Sequence, residues 1–223
     1  NTARERLAGF GASNTAALAV GGTVDPGTRN ETELWNGSNW TEVNNLQAAR
    51  QFMGSNGTTT SGLVYGGEPA STVVNNTESW NGTNWTEVNN LNTARFRNSG
   101  FGADNTAAVC FGGSTGPAVT ANTELWNGTN WTEVNNLNTA REDLAGAGIS
   151  TAGLGFGGAA PSLTGATEEW NGTNWTEVAD LATARKELAG AGTSTNALAI
   201  GGSDPGYSAA TEEWSTSVPI GAW

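Results

Sequence analysis

The sequence is dominated by one internal repeat. Glycine pairs begin at Gly21, Gly66, Gly112, Gly157 and Gly201, so successive pairs are 45, 46, 45 and 44 residues apart. A fixed period of roughly 20 to 50 residues is typical of solenoids, propellers and other arrays. Five units of this period account for the whole chain, with approximate bounds of 1–46, 47–91, 92–137, 138–181 and 182–223. We therefore expect residues 1–223 to form a single domain of five similar units.

Each unit contains four short segments with the character of β-strands. A small, glycine-rich segment follows an arginine, and an apolar segment then runs into the glycine pair, as residues 106–111 do before Gly112. The third segment has the form Thr-Glu-x-Trp and the fourth Trp-Thr-Glu-Val, and the Asn-Gly between them is a strong hairpin signal. No segment combines a 3.6-residue apolar period with helix caps. The sequence predicts an all-β protein.

Four small strands cannot form a stable unit alone, because one such sheet exposes both of its faces. Five sheets packed radially around an axis cover one another and leave only short edges. The glycines would let the inner strands approach the axis, and the ten tryptophans, two per unit, would fill the wider outer space between sheets. We expect a five-bladed β-propeller with four antiparallel strands per blade. An open solenoid of the same units is the alternative.

The arrangement of arginine, Gly-Gly, first aromatic and second tryptophan resembles the Kelch repeat, which forms β-propeller blades. The resemblance covers all five units, with two departures: the first aromatic is Trp where Kelch blades usually have Tyr, and the period is shorter than the roughly 50 residues of Kelch. The repeated Trp-Asn-Gly-Thr-Asn-Trp phrase is also similar to repeat proteins of marine phages. The Kelch resemblance implies a binding scaffold, which is what most members of that family are.

The composition argues against several classes of function. With 9 basic and 21 acidic side chains the formal net charge is −12, and the chain has no histidine. The absence of histidine excludes histidine-dependent catalysis and histidine-ligated metals. Adjacent acidic residues on a strand point to opposite faces, so they cannot act together on one bond. We therefore expect no enzyme activity and no cofactor. An acidic chain repels nucleic acid, and no apolar stretch approaches a membrane span, so neither nucleic-acid binding nor membrane insertion is expected.

Every unit carries one arginine before its first strand and one glutamate in its third. The arginines are Arg4, Arg50, Arg95, Arg141 and Arg185, and the glutamates are Glu33, Glu78, Glu124, Glu168 and Glu212. Each glutamate points the same way as a tryptophan two residues later, so a buried tryptophan implies a carboxylate that needs a partner. We expect five structural Arg-Glu salt bridges. The alternative is a ring of five arginines that binds an anion at the channel mouth.

Two further sets of residues vary between otherwise similar units. The loops after the glycine pairs contain the candidate binding residues Asp25, Arg29, Glu68, Asp204 and Tyr207, of which Asp25 and Asp204 precede Pro-Gly turns. The residues that follow the arginines form a second candidate surface near the channel mouth, and they are Glu5-Arg6, Gln51-Phe52, Phe96-Arg97, Glu142-Asp143 and Lys186-Glu187.

Several isolated features have local interpretations. The single cysteine, Cys110, replaces a small residue before a glycine pair and is expected to be a buried apolar side chain. The Asn-x-Ser/Thr triplets are assigned to hairpin turns rather than glycans, with the second asparagine bonding its own turn. The tail 218–223 is predicted to form the outermost strand of the fifth blade, with Trp223 as its second tryptophan. The opening phrase Asn-Thr-Ala-Arg recurs internally, which is consistent with a start partway through a longer array.

The sequence therefore favours a non-enzymatic interaction module that recognises a protein or glycan receptor, and an extracellular or virion location. The alternative is a structural or decoration domain whose loops contact neighbouring structural chains of a virion or surface assembly. The first predicts affinity carried by the variable loops. The second predicts that a neighbouring chain occupies those loops.

Overall fold

The computed structural model describes residues 2–216, which contain β-strands and connecting loops but no helix. Apart from one small two-stranded hairpin, the strands form five antiparallel sheets arranged as a five-bladed β-propeller. No helix in this range could cross a membrane. The predicted fold class is confirmed.

Consecutive strands form the blades, from the channel outwards. Blade 1 contains β1 (Ala8–Ser13) and β2 (Ala16–Val20), then a small hairpin of β3 (Thr23–Val24) and β4 (Gly27–Thr28), and finally β5 (Thr32–Trp35) and β6 (Trp40–Val43). Blade 2 contains β7 (Gly54–Thr58), β8 (Ser61–Tyr65), β9 (Thr77–Trp80) and β10 (Trp85–Val88). Blade 3 contains β11 (Ser99–Asp104), β12 (Ala107–Phe111), β13 (Thr123–Trp126) and β14 (Trp131–Val134).

The last two blades follow the same plan. Blade 4 contains β15 (Ala145–Ile149), β16 (Ala152–Phe156), β17 (Thr167–Trp170) and β18 (Trp175–Glu177). Blade 5 contains β19 (Ala189–Gly192), β20 (Asn196–Ile200) and β21 (Thr211–Ser215). Four strands per blade thus hold for blades 1 to 4, whereas blade 5 has three among residues 2–216. The fourth strand predicted for residues 218–223, including Trp223, lies outside the described residues.

The outer hairpins depend on the Asn-Gly turns. In blade 2, Gly82 has φ = 93°, a left-handed conformation that favours glycine, and Trp80 pairs with Trp85 across the hairpin. The side-chain oxygen of Asn81 accepts bonds from the N–H groups of Thr83 and Asn84. The first asparagine therefore holds the turn. Our assignment of that role to the second was wrong, because the Asn84 side chain instead accepts a bond from Asn44 of the preceding blade.

The core lies between blades and repeats around the axis. At the three interfaces between blades 1 and 4, side chains from the second strand of one blade pack against the tryptophan pair of the next. Tyr65 of blade 2 lies 4.9 Å from Trp131 of blade 3, and Phe111 of blade 3 lies 4.9 Å from Trp175 of blade 4, measured between ring centroids. Four apolar clusters of this kind join blades 1 to 5 in sequence. These clusters supply the burial that a single blade cannot provide.

The surfaces that blades 5 and 1 turn towards each other are more exposed than those at the other blade interfaces. Leu198 and Ile200 of blade 5 are 39% and 40% exposed, and Trp40 of blade 1 is 38% exposed, whereas the equivalent Trp131 is 5% exposed. Within residues 2–216, no apolar cluster spans blades 5 and 1. We call the space between these two surfaces the slot, and define it by Leu198, Ile200, Trp35 and Trp40.

Candidate functional site

Five loops, each with one residue in a left-handed conformation, surround one mouth of the channel. The second residue after each repeated arginine has φ between 54° and 57°, a conformation that glycine adopts freely and that most other residues disfavour. None of the five is glycine: two are arginine, two are acidic and one is phenylalanine. They are Arg6, Phe52, Arg97, Asp143 and Glu187.

Hydrogen bonds join these residues into one chain around the mouth. The N–H of Phe52 donates to the carbonyl of Arg6 at 3.0 Å, and that of Arg97 donates to the carbonyl of Phe52 at 2.9 Å. The same bond recurs from Asp143 to Arg97 and from Glu187 to Asp143, at 3.0 and 2.8 Å. The left-handed conformation thus allows the backbone of each residue to take part in this hydrogen-bond chain. The side chains are not needed for these bonds.

The five side chains line a cavity of about 490 Å³, which we call the mouth cavity. Asn98, Leu144 and Leu188, which directly follow three of the left-handed residues, complete its floor together with Glu5 and Tyr207 at its edge. A cavity of this size and mixed lining can hold a few side chains of a partner.

The half of the mouth cavity formed by blades 1 to 3 is basic and aromatic. The guanidinium carbons of Arg6 and Arg97 lie 5.0 and 4.8 Å from the centre of the Phe52 ring, within range of cation-π attraction. Phe96 packs edge-on against Phe52, with ring centroids 6.0 Å apart. Phe52 therefore holds two cations at the surface of an acidic protein.

The half formed by blades 3 to 5 is acidic. A carboxylate oxygen of Asp143 lies 3.4 Å from Arg97 and 3.5 Å from Lys186, and Arg97 also lies 3.5 Å from Glu142. Burial raises the pKa of Asp143, and the charges of Arg97 and Lys186 offset part of that effect. The mouth cavity thus presents side chains of both signs of charge.

Replacing Asp143 with asparagine tests this burial. Because the folded pKa of Asp143 is raised, its ionisation opposes folding, and the stability it contributes at low pH is lost as the pH rises through the folded pKa. We expect the free energy of unfolding of Asp143→Asn to rise relative to that of the parent chain as the pH increases above about 4, the usual pKa range of an aspartate. Urea unfolding across this range measures it, with the exposed Glu133→Gln as control. A difference that is constant with pH contradicts the assignment.

The five repeated arginines lie deeper, in salt bridges. Their distances to the paired glutamates are 2.5 to 3.0 Å, and their side chains are at most 2% exposed. Arg95 also donates to the carbonyl of Asn122 at 2.6 Å, and the second oxygen of Glu124 accepts two bonds from Asn92. Burial lowers the pKa of Arg50 and Arg141, an effect opposed by their glutamates. These guanidinium groups have no exposed surface on which an anion could bind.

The loop residues proposed from the sequence are dispersed. Tyr207 is fully exposed and lies at the edge of the mouth cavity. Asp25 lies in the β3–β4 turn, and Asp204 in the equivalent turn of blade 5. Glu68 pairs its backbone with Gln51, and Arg29 donates its N–H to the carbonyl of Gly22. Apart from Tyr207, none of these residues lines the mouth cavity.

Asn98 is a mouth residue that sequence reasoning missed. It is 7% exposed, and its side-chain oxygen has no hydrogen-bond partner within residues 2–216. Its side-chain nitrogen contacts the sulfur of Cys110 at 3.0 Å. Leucine or methionine occupies the same position in the other units, so this substitution was the available signal.

Cys110 itself is fully buried among apolar residues of the interface between blades 2 and 3. Burial raises the pKa of its thiol to about 11, so the thiol stays protonated at neutral pH. Residues 2–216 contain no group of three or more cysteine and acidic side chains that could hold a metal ion.

Comparison with models of known protein families and with curated proteins gave no match for this chain.

Proposed function

We propose that this propeller is a non-enzymatic interaction module that binds a protein segment carrying both acidic and basic side chains in its mouth cavity. The observation that carries this proposal is the set of five non-glycine residues in left-handed conformations. Each such residue costs of order 1 kcal/mol relative to glycine. Backbone geometry would favour glycine at all five positions, so the side chains themselves are the feature that needs a function.

The distribution of basic residues supports the same conclusion. Outside the five salt bridges the chain has four basic side chains, namely Arg6, Arg29, Arg97 and Lys186. Three of these four lie at the mouth, either lining the cavity or paired with Asp143. On a protein with a net charge of −12, the mouth is therefore where an acidic side chain of a partner meets least repulsion.

The other half of the mouth favours a basic group on the same partner. Asp143 and Glu187 follow the Arg6-Phe52-Arg97 group around the mouth, and all five line one cavity, so one bound segment can reach both. Complementary charges of both signs fix the orientation of a partner as well as its affinity. A peptide segment supplies both signs readily. The resemblance to Kelch repeats agrees with a binding scaffold, and the similarity to marine phage repeats extends the proposal to a virion or cell surface.

A binding selection tests this function. The purified chain is probed with an array of loop peptides of mixed charge and, in parallel, with a glycan array. We expect peptides that pair acidic with basic residues to bind, and Arg6→Gln to weaken their binding about tenfold, since a close charge pair at an interface contributes about 1.4 kcal/mol or more. Arg29→Gln is the matched control, because Arg29 lies outside the mouth cavity.

The outcomes separate the alternatives. Peptide binding that Arg6→Gln and Arg29→Gln weaken equally contradicts the mouth as the site. Binding to glycans alone, with the same dependence on Arg6, contradicts a protein partner. Absence of binding on both arrays overturns the proposal and favours a structural or decoration role.

A further inference from the structure

A second cavity lies beside the mouth cavity, between the loop that follows the glycine pair of blade 3 and the segment before β15 of blade 4. Its volume is about 250 Å³, and we call it the side groove. It is lined by Phe96, Arg97, Glu142 and the loop 114–119, including Val119. Pockets that hold a small molecule usually measure roughly 300–1,000 Å³. The side groove therefore has the size to hold one side chain of a larger ligand.

Arg97 lines both cavities and lies where they meet. Its guanidinium carbon is 4.8 Å from the centre of the Phe52 ring, which lines the mouth cavity, and 5.2 Å from that of Phe96, which lines the side groove. Its Nη1 atom is 3.4 Å from a carboxylate oxygen of Asp143 in the mouth cavity and 3.5 Å from one of Glu142 in the side groove. A ligand group bound to this guanidinium can therefore extend into both cavities.

Arg97 retains the capacity to bind a further anionic group. Both of its ion-pair distances are longer than a strong charge-assisted hydrogen bond, whereas the buried bridge between Arg95 and Glu124 measures 2.7 Å. The Arg97 side chain is also 29% exposed, in contrast to the fully buried Arg95. A carboxylate of a partner can thus approach Arg97 without breaking a short, buried bridge.

The side groove has an apolar wall. The residue directly after the repeated arginine is Phe96 in blade 3, whereas it is glutamate, glutamine or lysine in the other four blades. Phe96 is half-buried, as is Val119, and the exposed Pro117 lies along the same groove. Covering such apolar surface with an apolar group of a ligand is favourable. The side groove is therefore suited to an aliphatic side chain.

The two cavities together form one extended binding site, an inference that rests on the function proposed for the mouth cavity. We propose that the bound protein segment continues from the mouth cavity across Arg97 into the side groove. An acidic side chain of the segment binds Arg97, and an aliphatic side chain next to it packs against Phe96 and Val119. The segment recognised by this propeller thus carries an acidic residue flanked by an aliphatic one.

Paired peptides test this specificity. Mixed-charge peptides are made with either leucine or serine next to the acidic residue, and fluorescence anisotropy measures their Kd values. We expect the parent chain to bind the leucine version about tenfold more tightly, because its side chain is buried in the side groove. Val119→Ser should remove most of this preference, and Val119→Ile should retain it. Leu163→Ser is the matched control, because half-buried Leu163 forms the equivalent backbone bridge in blade 4 and lies outside both cavities.

The outcomes distinguish this inference from the proposed function. Equal Kd values for the leucine and serine versions, in peptides whose binding still depends on Arg6, would overturn the role of the side groove and leave the mouth cavity as the binding site. Equal losses from Val119→Ser and Leu163→Ser would overturn it as well, because the preference would then arise elsewhere. If no mixed-charge peptide binds, the proposed function and this inference both fail.

Discussion

Replacing Arg95 with alanine is expected to lower the free energy of unfolding by about 3–5 kcal/mol, because it leaves the Glu124 carboxylate buried without its charged partner. For a chain of this size that corresponds to a fall in Tm of about 6–20 °C. Thermal unfolding followed by tryptophan fluorescence measures the change. Arg29→Ala is the matched control, because Arg29 forms none of the five buried bridges and should shift Tm little.

A double variant separates the effect of losing the salt bridge from the effect of leaving one charge buried without a partner. Arg95→Met with Glu124→Gln removes both charges while keeping side chains of similar size, so the loss should be smaller than that of Arg95→Ala alone. Asn92, which donates to Glu124, retains an acceptor in the glutamine. Arg95→Ala without loss of Tm would contradict a structural role for this arginine.

The second large effect is expected at the blade interfaces. Trp131→Ala should cost about 3–5 kcal/mol, because Trp131 is buried against Tyr65 and Trp126 and donates a hydrogen bond to Thr77. Trp40→Ala, at the equivalent position of blade 1, should cost about 1 kcal/mol, since the slot leaves Trp40 partly exposed. Urea unfolding of the two variants measures the difference directly. Equal losses would contradict the difference in burial between the two tryptophans.

Much of the fold follows from the sequence because the repeat imposes it. The spacing of the glycine pairs gives the number of blades, and the Asn-Gly turns give the outer hairpins, as the pairing of Trp80 with Trp85 confirms. Each of these features is local or periodic. The positions of Arg95 and Glu124 in one buried bridge also follow from strand alternation together with the cost of burying an unpaired charge.

The mouth and the slot depend on information that is not local. A left-handed conformation can be predicted from the sequence where glycine occupies the position. Phe52 and Arg97 adopt it because their backbones form hydrogen bonds with neighbouring blades. The exposure of Ile200 likewise depends on what lies beside blade 5, since its own strand is as apolar as its equivalents. Four of the five loop candidates lie outside the mouth cavity, because sequence variation between the repeat units does not indicate how close a loop lies to the propeller axis.

The most direct test of the mouth as the binding site uses a variant in which all five left-handed residues are glycine. Arg6, Phe52, Arg97, Asp143 and Glu187 have φ values that glycine adopts freely, so the substitutions should keep the fold while removing the side chains that line the mouth cavity. The measurement is the Kd of a selected peptide for this variant and for the parent chain. We predict that binding falls by at least about 100-fold while Tm changes by only a few degrees. An unchanged Kd in the folded variant would contradict the assignment of the binding site to the mouth.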